Sequence, residues 1–555
     1  MIPGLRVGRA TRWGLVALSV IVTAHLSGVR LGPLLDADGA RSAGEILRGF
    51  AHPDLGAELL ARIARLALDS LLIGVLATAL GALIGVALAA LCVRVPALEE
   101  APDRAHYREA LGAAVRLVVR GGLAFFRSVP DIVWALLFVR MLGLGPGPAV
   151  LAIAITTGAI FGKLFSELAE AVEPESIRAL RRIGVGRLGI LLHGVLPQVW
   201  PQWVGYAFYR LECSVRSASI LGIVGAGGLG TEIALDLRYL EYDKLATALL
   251  AVIVLMIAID VASWWLRRRP FRYTAWLAAG GSALALVRLD IPWSQLTTNL
   301  IPSWLTDPGG AATPAFVLEA IKLAAQTVAM AWCATWGAAA VAIAAAPLAA
   351  TTLSLRGYRA GALRGRGRLA RAAAWGSFAL LRGGMQACRA MPELTLALLF
   401  VVWVGPGPFA GVLAIGVHTI GVFGRLYSDV YEEADPASLG ALEATGASRL
   451  AIWLHGVLPQ TAPRLLAFTL YRFDVNVRMT AMLGFVGAGG IGDSIDTAIS
   501  LFHGADLVLL LAVLFATVAT LDVFGDRIRR QILSSRFRAR GPLTAPRAAP
   551  SYPAD

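Results

Sequence analysis

The sequence contains few charged residues. Asp, Glu, Lys and Arg make up 16% of its 555 residues, whereas hydrophobic residues make up 57%. This balance excludes an ordinary soluble domain or a disordered chain, because both need more polar surface. The basic excess of +13 could indicate nucleic-acid binding, but the basic residues cluster between apolar runs, as in membrane proteins. We therefore predict a membrane protein without a nucleic-acid partner.

Residue patterns for metal, redox or nucleotide chemistry are also missing. The seven histidines form no metal-ligand pattern, and the four cysteines form no CxxC pair. The nearest approach to a phosphate-binding loop, at 158–164, has the wrong glycine spacing and no Ser or Thr after Lys163. We therefore predict no catalytic residue, no metal site and no nucleotide site in this chain, and hence no enzyme activity of its own.

Long apolar runs, in contrast, are abundant. A membrane-spanning helix needs about 20 apolar residues. Twelve runs approach this length: 13–33, 66–93, 121–142, 148–170, 199–222, 244–266, 273–291, 317–350, 376–404, 410–432, 461–484 and 505–526. The first run resembles a signal peptide, but a similar run behind arginines occurs in mid-chain, so we interpret both as retained helices. The expected fold class is an all-α polytopic membrane protein.

The chain contains an internal repeat. Residues 127–233 align with 389–495 at a constant offset of 262 positions, without a gap. About six spans in each half is an even number, so the two repeats are expected to run parallel. We predict two transmembrane domains, 1–267 and 268–534, followed by a disordered cytoplasmic tail, 535–555. All basic clusters fall on one side if both termini are cytoplasmic.

One polar stretch occurs twice between apolar runs. Residues 173–198 and 435–460 each begin with an acidic residue and a proline, contain a glycine in the middle, and end on Gly-Val-Leu-Pro-Gln. Proline is tolerated in the first turn of a helix and breaks its interior, so each stretch is predicted to form a helix–turn–helix. We call these stretches the docking elements. The alternative is a pair of helices lying on the lipid surface.

A glycine-rich segment ends the fifth apolar run of each half, at 221–230 and 483–492. It contains GxGxxG, but a dinucleotide site needs a preceding strand, and here a membrane span precedes it. Glycine permits irregular backbone beside a water-filled path, whereas close helix packing remains the alternative. The glycines predicted to line a translocation pathway are Gly225, Gly227, Gly487 and Gly489.

Charged residues interrupt the same run in both halves. They are Arg210, Glu212 and Arg216, and their counterparts Arg472, Asp474 and Arg478. Each would cost roughly 2.5–3.5 kcal/mol if it faced lipid, so all must face protein or water. In each copy the acid and the second arginine are four residues apart and can pair. The first arginines either form an anion site for phosphate-like oxygens or pair with acids such as Asp131 and Glu393.

Together these motifs resemble the permease of phosphonate-type ABC importers. The resemblance rests on His-Gly-Val-Leu-Pro-Gln, Tyr-Arg-x-Glu/Asp-x-x-x-Arg, Val-Gly-Ala-Gly-Gly-x-Gly and the run Pro-Asp-Ile-Val-Trp-Ala-Leu-Leu-Phe-Val at 130–139. Most of these segments occur in both halves. The resemblance implies a type I ABC importer permease fold, with two permease domains fused in one chain of a bacterial inner membrane. The two halves differ at Ser214 and Asn476 and at Arg140 and Val402, so their pathway need not be symmetric.

The resemblance also assigns the docking elements as the "EAA" coupling loops of that family. The implied ATPase-coupling residues are Glu173, Ala179, Gly184, Leu196 and Pro197, and in the second half Asp435, Ala441, Gly446, Leu458 and Pro459. The match is imperfect, since Arg178 and Gly440 replace the usual glutamate, and Gly194 and Gly456 a frequent isoleucine. The implied partners are a cytosolic ABC ATPase dimer, which binds ATP and magnesium, an extracytoplasmic phosphonate-type binding protein, and membrane lipid.

Other transport functions remain open from the sequence. Methionine and osmoprotectant permeases of ABC importers share similar glycine segments. An ion-coupled secondary transporter could use Glu212 and Asp474 as proton sites, because repeats and buried carboxylates also occur in that class.

Overall fold

The secondary structure is entirely helical in the part of the chain that can be described. The computed structural model describes these residues: 9–29, 32, 36–93, 106–269, 271–291, 313–353 and 368–539. Within them we find no strand, in agreement with the predicted fold class.

The first half is a series of helices numbered in chain order. They are α1 (Arg9–Leu26), α2 (Ala37–Ala51), α3 (Ala57–Cys92), α4 (His106–Ser128), α5 (Asp131–Leu142), α6 (Pro146–Glu170), α7 (Pro174–Arg182), α8 (Arg187–Ile190), α9 (Leu196–Leu221), α10 (Leu229–Arg238) and α11 (Tyr242–Leu266). A single π-helical turn, Leu191–Val195, joins α8 to α9, and a 3₁₀ turn, Gly222–Val224, follows α9.

The second half repeats this order. Its helices are α12 (Phe271–Arg288), α13 (Pro314–Ala349), α14 (Arg368–Ala390), α15 (Glu393–Val404), α16 (Pro408–Glu432), α17 (Pro436–Ala444), α18 (Arg449–Ile452), α19 (Leu458–Leu483), α20 (Ile491–Ser500) and α21 (Gly504–Ala539). The π-helical turn Trp453–Val457 and the 3₁₀ turn Gly484–Val486 recur at the equivalent places. The region equivalent to α2 lies outside the described residues.

Fewer helices than predicted could cross a membrane by length and composition. In the described residues six could do so alone, namely α3, α6, α11, α13, α16 and α21, and three bent pairs would raise the number to nine. The predicted spans 13–33, 273–291 and 461–484 do not meet this criterion. The apolar part of α1 is only Ala17–Leu26, and α19 contains four charged residues. On these criteria the predicted total of twelve is not reached.

Proline divides two of the predicted spans. The run 121–142 consists of α4 and α5, which meet at an angle of 89° around Pro130, and the run 376–404 consists of α14 and α15, which meet at 94° around Pro392. Each proline precedes the first residue of the second helix, where its missing N–H costs nothing. Proline therefore bends both runs, and neither run is one straight helix.

The chain forms two compact units that differ from its sequence halves. The first unit comprises Met1–Ala334, Ala387–His418 and Val477–Val518, and the second comprises Thr335–Gln386, Thr419–Asn476 and Ala519–Asp555. The domain boundaries at 267 and 534 stay predictions. Residues 535–539, placed in the predicted disordered tail, continue α21, and residues 540–555 lie outside the described residues.

Small residues bring the long helices of each unit together. In the first unit, a Cβ on Gly85 of α3 would overlap Phe161 of α6, and one on Gly158 of α6 would lie 2.9 Å from Ile84. In the second unit, buried alanines of α13 pack with Phe423 and Tyr427 of α16. Small residues permit such close approach of membrane helices, where packing rather than the hydrophobic effect drives association.

The outer helices of the first unit pack across the sequence halves. The Arg288 guanidinium on α12 bonds the Asp69 carboxylate on α3 through Nε and Oδ1 at 3.1 Å, so a helix of the second half lies against the first half. Conversely, the Trp332 indole N–H of α13 donates to Ser19 Oγ of α1 at 3.0 Å. Each half therefore contributes one helix to the covering of the other.

Candidate coupling and pathway sites

The first docking element has the predicted helix–turn–helix form. Helix α7 begins at Pro174, directly after Glu173, and ends at Arg182. Gly184 follows with φ +80°, a left-handed conformation that side chains with a Cβ rarely adopt. After α8 and the π-helical turn, α9 begins at Leu196–Pro197.

The second docking element repeats this geometry, with α17, α18 and Gly446 at φ +81°. It is better capped, because the Asp435 carboxylate accepts hydrogen bonds from the backbone N–H groups of Ala437 and Ser438 at 3.1 and 3.4 Å. The Glu173 side chain makes no such cap. Side-chain oxygens at this position satisfy N–H groups that a helix leaves unpaired.

In each docking element, a glutamine at the start of the following long helix bonds to the first short helix. The Gln198 side-chain amide donates to Ser176 Oγ at 3.0 Å and to the Gly194 carbonyl at 2.7 Å. The Gln460 amide donates to Ser438 Oγ, also at 3.0 Å. Both glutamines belong to the repeated motif Gly-Val-Leu-Pro-Gln, but no role was predicted for either of them from the sequence.

The inner surface of each docking element is anchored in the core of its own half. In the first unit Ile177 and Ile190 are buried with Phe161 and Phe165 of α6. In the second unit Leu439, Ile452 and Val457 are buried with Phe423, Tyr427 and Tyr431 of α16. A docking element that moves must therefore displace the helix before it, because close-packed side chains transmit displacement.

The same packing explains two departures from the usual family motif. A Cβ on Gly194 would lie 2.7 Å from Leu180, and one on Gly456 would lie 2.5 Å from Leu439. The leucines of α7 and α17 occupy the space that a larger side chain would fill. Glycine at these two positions is thus matched to the leucine opposite.

The outer surface of each docking element is exposed and partly apolar. Exposed fractions are 75% for Ile183 and 48% for Leu192, and 63% for Leu450 and 42% for Leu454. Eight of the predicted coupling residues are exposed: Glu173, Ala179, Gly184, Pro197, Asp435, Ala441, Gly446 and Pro459. The other two, Leu196 and Leu458, are half-buried. The predicted coupling residues are therefore accessible to a partner.

The two glycine loops, 222–228 and 484–490, have matching backbone conformations. Gly225 and Gly227 have φ +87° and +78°, and Gly487 and Gly489 have φ +80° and +72°. The Gly145 N–H donates to the Gly225 carbonyl at 3.0 Å, and the Gly407 N–H to the Gly487 carbonyl at 2.8 Å. Each loop is thus joined to the turn that precedes α6 or α16.

Close packing accounts for other glycines of these segments. A Cβ on Gly230 would overlap the Ser219 carbonyl oxygen, and a Cβ on Gly492 would overlap the Ala481 carbonyl oxygen. In each half the helices before and after the loop therefore touch at their backbones. This observation supports the packing alternative for Gly230 and Gly492, and it leaves the pathway role of the loop glycines a prediction.

A buried hydroxyl joins each glycine loop to the first long helix of its half. Ser70 Oγ of α3 accepts a hydrogen bond from the Leu229 N–H at 2.9 Å, and Thr327 Oγ1 of α13 accepts one from the Ile491 N–H at 3.0 Å. Ser70 is fully buried and Thr327 nearly so. The helices that follow the loops therefore begin at a side chain of a distant helix.

Replacing Thr327 by valine is expected to destabilise the protein by about 1–3 kcal/mol, because the buried Ile491 N–H loses its acceptor. Thermal unfolding of the purified protein measures the effect. The control is Ser377→Ala, since the one hydrogen bond of the Ser377 hydroxyl within the described residues goes to the Ala374 carbonyl of its own helix. Equal unfolding temperatures for Thr327→Val and the parent protein would contradict the role of this hydroxyl.

The charges of α9 are compensated by neighbouring protein groups. The predicted pairing of Glu212 with Arg216 is observed at 3.4 Å. Arg210 Nε donates to Thr157 Oγ1 at 3.4 Å, and Asp131 lies close enough to attract its guanidinium. The pairing of Arg210 with Asp131 and the anion-site interpretation both remain predictions.

A larger ionic cluster lies within the first unit. The Arg389 guanidinium of α14 lies 3.8 Å from the Asp260 carboxylate of α11. Nearby, His418 Nε2 lies 3.0 Å from the Glu393 carboxylate, which also attracts Arg216. Residues of both sequence halves thus meet here. Such contacts restrain the halves, because breaking one leaves a buried charge unpaired.

The charges of α19 are divided between the units. Asp474 is buried and Arg472 half-buried in the second unit, whereas the half-buried Arg478 belongs to the first. The pairing of Asp474 with Arg478 stays a prediction.

The predicted asymmetry of the halves is visible beside these charges. In the second unit the Asn476 amide donates to Thr335 Oγ1 at 2.8 Å and to Thr419 Oγ1 at 3.1 Å. Its counterpart Ser214 is equally buried, but its hydroxyl has no hydrogen-bond partner among the described residues. The second half therefore holds three helices together with a polar contact that the first half lacks.

The halves also differ beyond the glycine loops. The Arg140 guanidinium of α5 lies over the Phe502 ring, 5.1 Å from its centroid, and valine replaces this arginine in the second half. Burial, followed by the Asp493 carboxylate, raises the pKa of Asp496 on α20 above its ordinary value, and Arg140 opposes this shift. The end of the molecule that contains α20 is therefore also asymmetric.

Sequence comparisons identify relatives for both halves. The family model "Binding-protein-dependent transport system inner membrane component" matches residues 109–272 and 372–538. The phosphate-import permease protein PhnE of Mycolicibacterium smegmatis is 33% identical over 476 residues, which cover 82% of this chain and 84% of that protein. The putative phosphite transport system permease protein HtxE of Stutzerimonas stutzeri is 39% identical over 157 residues, or 28% of this chain and 60% of that protein.

Two further matches are shorter. The putative cryptic phosphonate transport system permease protein PhnE2 of Escherichia coli is 39% identical over 122 residues, which cover 22% of this chain and all of that protein. A chain from an inward-facing crystal form of the MetNI methionine ABC transporter is 22% identical to this chain, with a TM-score of 0.34. The alignment covers 39% of this chain and 98% of the MetNI chain. The double family match and the long PhnE match show that this chain belongs to the binding-protein-dependent transport system inner membrane components, as two permease domains in one polypeptide.

Proposed function

We propose that the chain forms the membrane pathway of an ABC importer for a phosphorus oxyanion of the phosphonate, phosphite or phosphate class. An extracytoplasmic binding protein delivers the anion, and a separate cytosolic ATPase dimer, which binds ATP and magnesium, supplies the energy. The relatives PhnE, HtxE and PhnE2, which are named as phosphate, phosphite and phosphonate permeases, support this substrate class. Both termini and both docking elements are then cytoplasmic.

The duplicated docking elements are the observation on which this proposal depends. Each presents an exposed outer surface with apolar residues, and each is anchored by buried residues in the helices of its own half. Two equivalent elements suit two equivalent subunits of a motor, since each binds the same kind of surface.

The mechanism follows from the contacts of the chain itself. Movement of α7 and α17 displaces α6 and α16, which pack against them. The turns before α6 and α16 are hydrogen-bonded to the glycine loops, so this displacement changes the loops as well. Positive charge along the path suits a phosphorus oxyanion, because guanidinium groups bond its oxygens in a fork. Arg210 and Arg472 are the proposed anion-facing residues, and Glu212, Asp474, Arg216 and Arg478 set the charge around them.

Uptake by reconstituted vesicles tests this function. The chain is combined with an ATPase and a binding protein encoded beside it, and import of labelled phosphite, phosphate or methylphosphonate is measured. We expect import to require ATP, to stop with vanadate and to survive collapse of the proton gradient. Import driven by a proton gradient without the ATPase would instead support a secondary transporter. Import of methionine alone would identify a different ABC substrate.

A further inference from the structure

In the first half, one arginine joins the ends of two helices directly before the docking element. The Arg120 guanidinium of α4 donates through Nη2 to the Glu170 carboxylate at 2.5 Å and to the Cys92 carbonyl at 3.3 Å. Cys92 is the last residue of α3, and Glu170 is the last residue of α6. The docking helix α7 begins only four residues after Glu170.

The second half has the same arrangement. The Arg382 guanidinium of α14 donates to the Ala349 carbonyl at 3.3 Å and lies 3.6 Å from the Glu432 carboxylate. Ala349 ends α13 and Glu432 ends α16. Glu432 also accepts a hydrogen bond at 2.7 Å from the Thr351 N–H, just beyond α13. We call Arg120 and Arg382 the latch arginines.

Helix electrostatics make this arrangement specific. The last carbonyls of a helix lack partners within it, and they give its C-terminus a partial negative charge. A glutamate at this position is therefore unfavourable unless a cation compensates it, and yet both halves have one. The planar guanidinium can bond a carbonyl and a carboxylate together, which the ammonium of lysine does less well.

A contribution to stability does not explain why both halves have this contact between an arginine, a glutamate and a helix-end carbonyl. The side chains of Arg120 and Arg382 are 49% and 39% exposed, and ion pairs exposed to this degree contribute little to stability. What the latch does provide is a fixed connection between the helix that enters the docking element and the first long helix of the same half.

We propose that the latch arginines are positioning residues that transmit movement of the docking elements to α3 and α13. The proposal rests on the function proposed above, in which a separate ATPase moves those elements. In the first half the connection continues along α3 from Cys92 to Ser70, whose hydroxyl holds the end of the glycine loop. In the second half Ala349 and Thr327 also belong to one helix, α13, which contains Pro347 near its end. In the first half the continuous helix α3 thus links the docking side to the glycine loop.

The test measures substrate imported per ATP hydrolysed, in vesicles with the ATPase and binding protein. In Arg120→Gln/Arg382→Gln, hydrolysis continues and import per ATP falls about tenfold, the factor expected from loss of one charge-assisted hydrogen bond. The control is Lys163→Gln, which removes the ion pair Lys163–Glu167 on α6 without touching a helix-end carbonyl. Arg425 is left unchanged, because its partner Asp429 also lies 3.7 Å from Arg382. Its ratio of import to hydrolysis should equal that of the parent.

A second variant separates coupling from folding. Glu170→Ala/Glu432→Ala removes the carboxylates that the helix dipole disfavours, and import per ATP should again fall. The unfolding temperature shows separately what the loss of the acceptor for the Thr351 N–H costs. A latch that only stabilises the protein would lower the unfolding temperature without changing this ratio. A parental ratio in the folded glutamine and alanine variants, or an equal fall in the control, would overturn the latch. Absence of ATP-driven import in the parent complex would instead overturn the proposed function.

Discussion

Replacement of Gly184 and Gly446 by valine is expected to reduce ATP-driven uptake to background while the protein still folds. Both glycines have a left-handed backbone, φ +80° and +81°, which costs about 1–3 kcal/mol at each position for other residues. A Cβ at either place meets no atom within 4 Å, so the side chain does not clash. Valine relieves this strain by changing the backbone conformation of the turn, which reorients the two short helices. The outer surface of the docking element then no longer fits the ATPase.

Uptake and ATP hydrolysis in vesicles, with size-exclusion chromatography as the folding check, measure this effect. The matched control is Gly186→Ser, because Gly186 has no positive φ, a Cβ there is also free of contacts, and the equivalent residue of the second half is Ser448. Ser448 caps α18 through a hydrogen bond from the Ala451 N–H at 3.2 Å, so the control should retain full uptake. Normal uptake in the double valine variant would disprove coupling through these turns.

Replacement of Gly492 by alanine is expected to be the most damaging single methyl addition for folding. The new Cβ would overlap the Ala481 carbonyl oxygen, and backbone rather than a flexible side chain must move. Overpacking of this kind costs about 1–3 kcal/mol or more. We expect a lower unfolding temperature and a smaller yield of monodisperse protein. Gly230→Ala should behave in the same way, since its Cβ would overlap the Ser219 carbonyl oxygen.

Gly416→Ala is the control for this prediction. Gly416 lies inside α16, and a Cβ there meets no atom within 4 Å, so alanine should be neutral or stabilise the helix by about 1 kcal/mol. Thermal unfolding in one detergent compares the three variants. If Gly492→Ala and Gly416→Ala unfold at the same temperature, the helices around the second glycine loop are not packed as described.

Local rules made the docking elements predictable. Proline at the first turn and glycine after the first helix act within a few residues, so their spacing predicted α7, α17 and a turn at Gly184 and Gly446. The left-handed backbone of these glycines is a finding of the structure. The same local chemistry accounts for the bends at Pro130 and Pro392. Apolar length was a weaker guide, because the charges of α19 and the short apolar part of α1 cannot be judged without the neighbours that cover them.

Contacts between distant residues were not predictable in this way. The latch joins Arg120 to residues 28 and 50 positions away, and no periodicity relates them. The cluster around Asp260 and Glu393 joins both sequence halves, where only the general need to compensate buried charge could be foreseen. That need suggested Asp131 as a partner of Arg210, which stays a prediction, but it did not indicate His418 beside Glu393.

The exchange of outer helices between the halves has a consequence for assembly. In the fused chain, α1 of the first half contacts α13 through Ser19 and Trp332, and α12 of the second half contacts α3 through Arg288 and Asp69. Two separate half-chains would leave these surfaces of α3 and α13 exposed. They would have to find each other in the bilayer before either was complete. Joining them in one polypeptide fixes their stoichiometry at one to one and prevents pairing of two identical halves. The two halves can then diverge at equivalent positions, as they have at Ser214 and Asn476.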